Sequence, residues 1–360
     1  MPTIIPTKRC NLRCRHCMRS TFASDFLDIN LYDKFIKDVL LTYGPPGDGW
    51  SYTGGEPTLH PEIGKLLATN GKYNTKASIM TNGQFMPGIE QVIKNKQHVS
   101  FIRLSIDGHN AEVNDAIRGE GSFDECITAI KEYVRNGVPI ILGVTAHDDN
   151  IDTIEECILL GRSLAVGGVA IWCAQQWVEV ASSDLRTKSL KKGEDITWTE
   201  ETTKKLQTAQ QGLIEKYKSY FRNGVTISGK FSNPGLNRNW VCENFSDDAR
   251  APRNIARRIV LLPDGLISAC CDLYDVNYNP RKYDASPFCE EPVSDILGDF
   301  SKQDLDEILL YKRRHFTKLA ARRVRDLDAG LLVNGRENLC TNCAYYHYQP
   351  SSKIIPITAG

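Results

Sequence analysis

The chain has 360 residues, with 44 basic against 44 acidic side chains and 12 cysteines. That length allows one large domain and a smaller one, and the balanced charge argues against broad attraction to nucleic acid or to an anionic membrane surface. No apolar run approaches the ~18 residues of a membrane-crossing helix, and the amino terminus lacks a charged-then-apolar export signal. The expected setting is therefore cytoplasmic and reducing, where cysteines point to metal ligation before disulfides.

In chain order, apolar strands are predicted near 3–7, 49–53, 76–81, 100–106, 138–145 and 167–173, with helical patterns between them over 31–43, 61–69, 123–136 and 153–164. Alternating strands and helices predict an α/β fold with a parallel sheet and helical crossovers. Six such units fit before the pattern changes. A polar, Lys-rich stretch over 182–194 reads as a mobile loop or lid, and a long polar helix over 199–222 is expected to lead away from the sheet. In the last third, a hairpin is predicted from 255–262 and 266–271 around Pro263, Asp264 and Gly265. The basic stretch from Lys312 to Arg325 is broken by acids just beyond it and reads as the solvated side of a helix.

The chemistry concentrates at strand ends. After the first strand come Cys10, Cys14 and Cys17, a spacing that lets three thiolates hold three irons of a cubane and leaves the fourth iron open. A structural zinc loop is the alternative, although zinc loops usually pair one short cysteine spacing with a second pair of ligands. After the second strand come Gly54, Gly55, Glu56 and Pro57; two glycines there expose backbone groups and permit close approach of a ligand. Asn82 follows the third strand, and Ser105 and Asp107 close the fourth, where hydroxyl and carboxylate groups suit a ribose. Asn82-Gly83 and Asp107-Gly108 also read as ordinary turns. Arg118 opens a glycine-rich run to Phe123 and has a surface salt bridge as its competing role.

The cysteine triplet, the Gly-Gly-Glu-Pro segment and the strand ends together resemble the radical S-adenosylmethionine (SAM) enzymes. The resemblance implies a partial (β/α)6 TIM-like barrel, an open relative of the eight-unit barrel. It also implies a 4Fe–4S cluster on Cys10, Cys14 and Cys17, with SAM as cosubstrate. Gly54, Gly55 and Glu56 would hold the methionine amino group, Asn82, Ser105 and Asp107 would lie against the ligand, and Arg118 would meet its carboxylate. His16 stands where the family places an aromatic residue near the adenine. The run from Ser105 to Phe123 is similar to the peptide-modifying branch.

A second resemblance covers the carboxyl-terminal third. Cys242, Gly265 with Cys270, and the pair Cys340 and Cys343 resemble the SPASM and twitch auxiliary-cluster domains, implying a small Cys-rich domain over 236–360 after a barrel over 1–235. One auxiliary 4Fe–4S cluster on Cys242, Cys270, Cys340 and Cys343 fits the twitch form, because cysteines of the full SPASM pattern are absent. Zinc on the same thiolates is the alternative. Cys271 could replace Cys270, since neighbours on a strand face opposite ways, and Cys289 could join the set. Cys126 and Cys157 read as small core hydrophobes. Cys173, ending the sixth strand, reads as a buried strand residue or as a hydrogen-atom donor to a substrate radical, with Cys271 and Cys289 as rivals.

Reductive SAM cleavage would yield a 5′-deoxyadenosyl radical that abstracts hydrogen from an unactivated carbon, with flavodoxin or ferredoxin as electron donor. The expected substrate is a ribosomally made peptide undergoing epimerisation, cross-linking or oxidation. Against a peptide stands the early start of the triplet, which leaves no room before it for a peptide-recognition domain. The alternative substrate is an aminoglycoside or sugar, and a non-enzymatic iron–sulfur or zinc scaffold is a third reading.

Overall fold

The alternation of apolar and amphipathic segments folds into one twisted sheet with helices on its convex side. The computed structural model describes residues 2–17, 25–47, 49–173, 200–228, 259–268 and 296–314. In order these form β1 (Thr3–Ile4), α1 (Ile29–Tyr43), β2 (Trp50–Tyr52), α2 (Ile63–Lys72), β3 (Ala77–Thr81), α3 (Met86–Lys94), β4 (Val99–Ser105), α4 (Ala111–Arg118), α5 (Ser122–Arg135), β5 (Ile140–Ala146), α6 (Ile154–Ser163), β6 (Gly168–Cys173), α7 (Glu200–Tyr217), β7 (Val225–Ser228), β8 (Val260–Leu261), β9 (Leu266–Ser268) and β10 (Ile296–Asp299). The strand order is β10-β9-β8-β1-β2-β3-β4-β5-β6-β7, parallel from β8 through β7. This is the open partial barrel that the strand–helix pattern predicts. None of the described helices is long and apolar enough to cross a membrane.

Local chemistry sets the element boundaries. Asp28 caps α1 by accepting from the Leu31 amide at 2.9 Å, and Gly44, at φ +74°, ends it. Tyr32, Phe35, Ile36 and Val39 recur at helical spacing and turn one buried stripe toward the sheet. The strands alternate in the same way. Ile79, Ile102, Leu104, Leu142 and Val144 point under the helices and are fully buried. The opposite, concave face carries Ser78, Met80, Arg103, Ser105, Gly143, Thr145 and Trp172, following the register Met80↔Arg103 and Thr145↔Trp172. Phe101, Ile141 and Ala170 share that face, so it is mixed, and its Ser78, Arg103, Ser105 and Thr145 are a polar content unusual for a parallel sheet, whose strands normally read apolar on both sides. It marks the inside of the barrel as a place for a ligand.

The helix predicted to lead away from the sheet returns to it instead. α7 buries Leu206, Leu213 and Tyr217 and delivers the chain to β7, a seventh parallel strand in register Val169↔Val225 with β6. The sequence hides this because the apolar stripe of α7 is narrow amid many polar residues. The carboxyl-terminal hairpin forms as β8 and β9, with Gly265 at φ +84° supplying the left-handed turn position. β8 pairs in parallel with β1, so this described part extends the same sheet. Cys242, Cys270, Cys271, Cys289, Cys340, Cys343 and the 182–194 stretch lie outside the described residues.

Candidate functional site at the carboxyl ends of the strands

The cysteine loop leaves β1 and is pinned on three sides. Thr7 bridges to Phe26 and donates its hydroxyl to the Asp25 carbonyl at 2.8 Å. The Arg15 amide donates to the Ile117 carbonyl at the end of α4, at 2.9 Å. The third tether comes from the segment after β2, where the Gly55 amide donates to the Thr7 carbonyl at 3.1 Å and the Glu56 amide to the Arg9 carbonyl at 2.6 Å. The two glycines are required by this packing. A Cβ at Gly55 would lie 2.0 Å from the Arg9 carbonyl oxygen; Gly54, at φ +133°, would meet the Thr7 carbonyl oxygen at 2.7 Å. The close approach expected of a ligand is thus made by the protein's own cysteine loop, and the Gly55 and Glu56 amides are already engaged.

Glu56 is 1% exposed and its carboxylate accepts four hydrogen bonds. Oε1 takes the Thr58 amide (3.0 Å), the Thr58 hydroxyl (2.6 Å) and the Thr81 hydroxyl (2.6 Å), while Oε2 takes the Asn82 amide (2.7 Å). Burial pushes its carboxyl pKa up and the four donors pull it back. Glu56 therefore ties the end of β2 to the end of β3. Asn82 carries the tie onward: its Nδ2 donates to Asn11 Oδ1 at 2.8 Å and lies 3.9 Å from Cys10 Sγ.

The three thiols are half-buried and unpaired. Burial pushes Cys10 up and Cys14 up to about 11, and the charges of neighbouring thiolates add to both shifts. Such thiols ionise together only when a metal neutralises them. Among the described residues, no three candidate ligands converge closely enough for a single ion. A cubane takes each thiolate on a different iron and does not ask for such convergence, so the donor set fits an iron–sulfur cluster better than one zinc.

Beside the loop lies a buried charged group. Asp107 is fully buried; its Oδ1 accepts from the Thr145 amide at 2.7 Å, and its Oδ2 lies 2.7 Å from Arg118 Nε and 3.5 Å from His16 Nδ1. The approach to Arg118 is a charge contact and that to His16 a polar approach, neither with hydrogen-bond geometry, so Asp107 Oδ2, Arg118 Nε and His16 Nδ1 remain buried polar atoms without hydrogen-bond partners. His147 Nε2 is a fourth, on a ring 6.3 Å from that of His16. Native proteins seldom orphan such atoms, and four at one strand-end site indicate a polar ligand. Arg118 reaches this place because α4 ends there, before Gly119 and Gly121 turn the chain at φ +119° and +76°. Ser105 ends β4 on the concave face, and Cys173 ends β6 at the same end of the sheet, paired with Ala146.

The structure thus gathers Cys10, Cys14, Cys17, His16, Gly54, Gly55, Glu56, Asn82, Ser105, Asp107 and Arg118 around one mouth. His147 lies outside the set read from the sequence, and its position immediately after β5 is the one signal that points to it. Asn114, which fixes the Asp107 amide at 2.9 Å, and Thr81 carry no distinguishing signal in the sequence, because polar residues of this kind are common in turns and helices.

Both histidines are held neutral. Burial pushes His16 down to about 4, with Asp107 opposing, and burial lowers His147. A base with a lowered folded pKa is protonated first in the unfolded chain. Its contribution to stability is complete above the unfolded pKa of about 6.5 and is lost as pH falls toward the folded value, by up to about 1.4 kcal/mol per pH unit per histidine. Denaturant unfolding between about pH 7 and about pH 4 should show this slope, and His147→Gln should flatten it. An unchanged slope in the variant would refute the assignment.

Residues 4–160 match the family described as the Radical SAM superfamily. Over 157 residues the chain is 31% identical to the mycofactocin maturase MftC of Mycolicibacterium smegmatis, covering 42% of this chain and 38% of that protein. It is 25% identical over 218 residues to the antilisterial bacteriocin subtilosin biosynthesis protein AlbA of Bacillus subtilis, covering 59% and 45%. The chain thus spans less than half the length of these curated relatives. SuiB of Streptococcus suis, solved with bound S-adenosylmethionine, shares the fold at a TM-score of 0.60 and 14% identity, covering 89% of this chain and 67% of that one. The cysteine loop at the mouth of the partial barrel falls inside the matched stretch, so residues 4–160 are similar to the radical SAM domain in sequence and in fold.

Proposed function

We propose that the chain is a radical SAM enzyme that modifies a ribosomally made peptide. The observation that carries this reading is the set of three unpaired thiols on one loop, tethered beside the orphaned polar atoms of His16, Asp107, Arg118 and His147. A cluster held by Cys10, Cys14 and Cys17 supplies, when bound and reduced, the electron that splits SAM into methionine and a 5′-deoxyadenosyl radical. The chain's own residues then orient and shield the reacting partners. Ser105 and Asp107 would meet the ribose, Arg118 the carboxylate, His16 the adenine, and the backbone at Gly54 and Gly55, with Glu56 and Asn82 holding it in place, the methionine amino group. The barrel would cover 1–235. A twitch-like domain over 236–360 would place one auxiliary 4Fe–4S cluster on Cys242, Cys270, Cys340 and Cys343, with flavodoxin or ferredoxin as electron donor.

The peptide class is supported by the relatives: MftC is a maturase, AlbA takes part in bacteriocin synthesis, and SuiB has been solved with its precursor peptide SuiA. Cys173 is the proposed hydrogen-atom donor if the outcome is epimerisation.

Iron per chain after anaerobic reconstitution tests the cofactor assignment. Two clusters give about eight irons, falling to about four when Cys10, Cys14 and Cys17 are replaced by alanine. A native value near four that falls to none would remove the auxiliary cluster and favour redox-neutral chemistry.

A further inference from the structure

Arg103 is a second charge inside the barrel, separate from the group around Asp107. It sits on β4 with its side chain on the concave face, in register with Met80 of β3 and Ile141 of β5. Its guanidinium carbon lies 4.1 Å from the centroid of the Trp172 ring, one terminal nitrogen is 3.8 Å from the Met80 sulfur, and Nε is buried without a partner. Among the described residues no carboxylate pairs with it. Gly143 makes the space: a Cβ there would meet Arg103 Cγ at 3.0 Å and the Trp172 ring at 3.5 Å. An arginine keeps its charge at any physiological pH, and a largely buried guanidinium without a counter-ion is costly. Trp172 stacks on the guanidinium face and leaves the edge donors available as a fork.

We infer that Arg103, backed by Trp172 and Met80, receives a carboxylate of the substrate inside the barrel and so selects an acidic peptide residue or chain end for reaction. The inference rests on the radical reading above for the existence of a substrate there. One guanidinium between two neutral walls neutralises a single negative charge, which fits a carboxylate better than a phosphate dianion. SAM carries a carboxylate too, but Arg103 lies two residues, about 6.6 Å along the strand, behind Ser105 and the mouth.

Ligand-observed NMR on the anaerobically reconstituted full chain tests this with N-acetylglutamate α-amide, its neutral isostere N-acetylglutamine α-amide, and N-acetylglycine as a terminal carboxylate. The wild type should bind at least one carboxylate probe about tenfold more tightly than the isostere, and saturating SAM should leave that preference in place. Arg103→Gln should reduce it to near parity. No preference in the wild type, a preference surviving Arg103→Gln, or its loss on adding SAM would each overturn the proposal. The wild-type comparison stands whether or not the variant folds. Because the assay needs neither reductant nor turnover, absence of SAM cleavage would defeat the parent reading separately.

Discussion

Asp107→Asn is expected to cost about 3–5 kcal/mol of folding free energy, the usual penalty for removing one partner of a buried ion pair. The reason lies in what each oxygen faces. Oδ1 accepts from the Thr145 amide, and Oδ2 faces Arg118 and His16. An asparagine that turns its NH2 toward Thr145 sets donor against donor. Turned the other way, it presents that NH2 to a guanidinium that is 7% exposed and has lost its counter-charge. Neither rotamer satisfies the site. Adding Arg118→Gln removes the stranded charge, so the double variant should be more stable than the sum of the single losses implies. Denaturant unfolding of the four proteins measures this. A wild-type midpoint for Asp107→Asn, or strict additivity, would contradict the described geometry.

Glu56→Gln is the second large effect. A glutamine oxygen still serves the Thr58 and Thr81 donors, but its NH2 then confronts the Asn82 amide that Oε2 accepts at 2.7 Å. Losing a charged acceptor and stranding a buried donor should cost about 3 kcal/mol. The damage should travel, because Asn82 holds Asn11 and lies beside Cys10. Iron bound at the triplet is expected to fall with stability, although Glu56 itself is not among the candidate ligands. A Glu56→Gln protein with full iron and wild-type unfolding would remove Glu56 from its place as the link between β2, β3 and the loop.

These two residues also show how far the sequence could be read. The strands emerged because apolar runs recur between helical patterns. The mouth emerged because Cys10, Cys14, Cys17, Gly55, Glu56, Asn82 and Asp107 all follow strands, where ligands collect in such folds. What stayed hidden depends on contacts between distant segments. No local pattern says that the Gly55 amide is spent on Thr7, that α7 folds back to deliver β7, or that Arg103 meets Trp172 across two strands. His147 has the same character: it becomes meaningful only when the ends of β4 and β5 set it beside His16.

The central claim is that the tethered triplet serves SAM cleavage, and its most direct test is product formation by the reconstituted chain with SAM and dithionite under anaerobic conditions. The account predicts 5′-deoxyadenosine and methionine in equal amounts from the wild type and neither from Cys14→Ala. An iron-loaded wild type that leaves SAM intact, or a Cys14→Ala protein that cleaves it as the wild type does, would contradict the account.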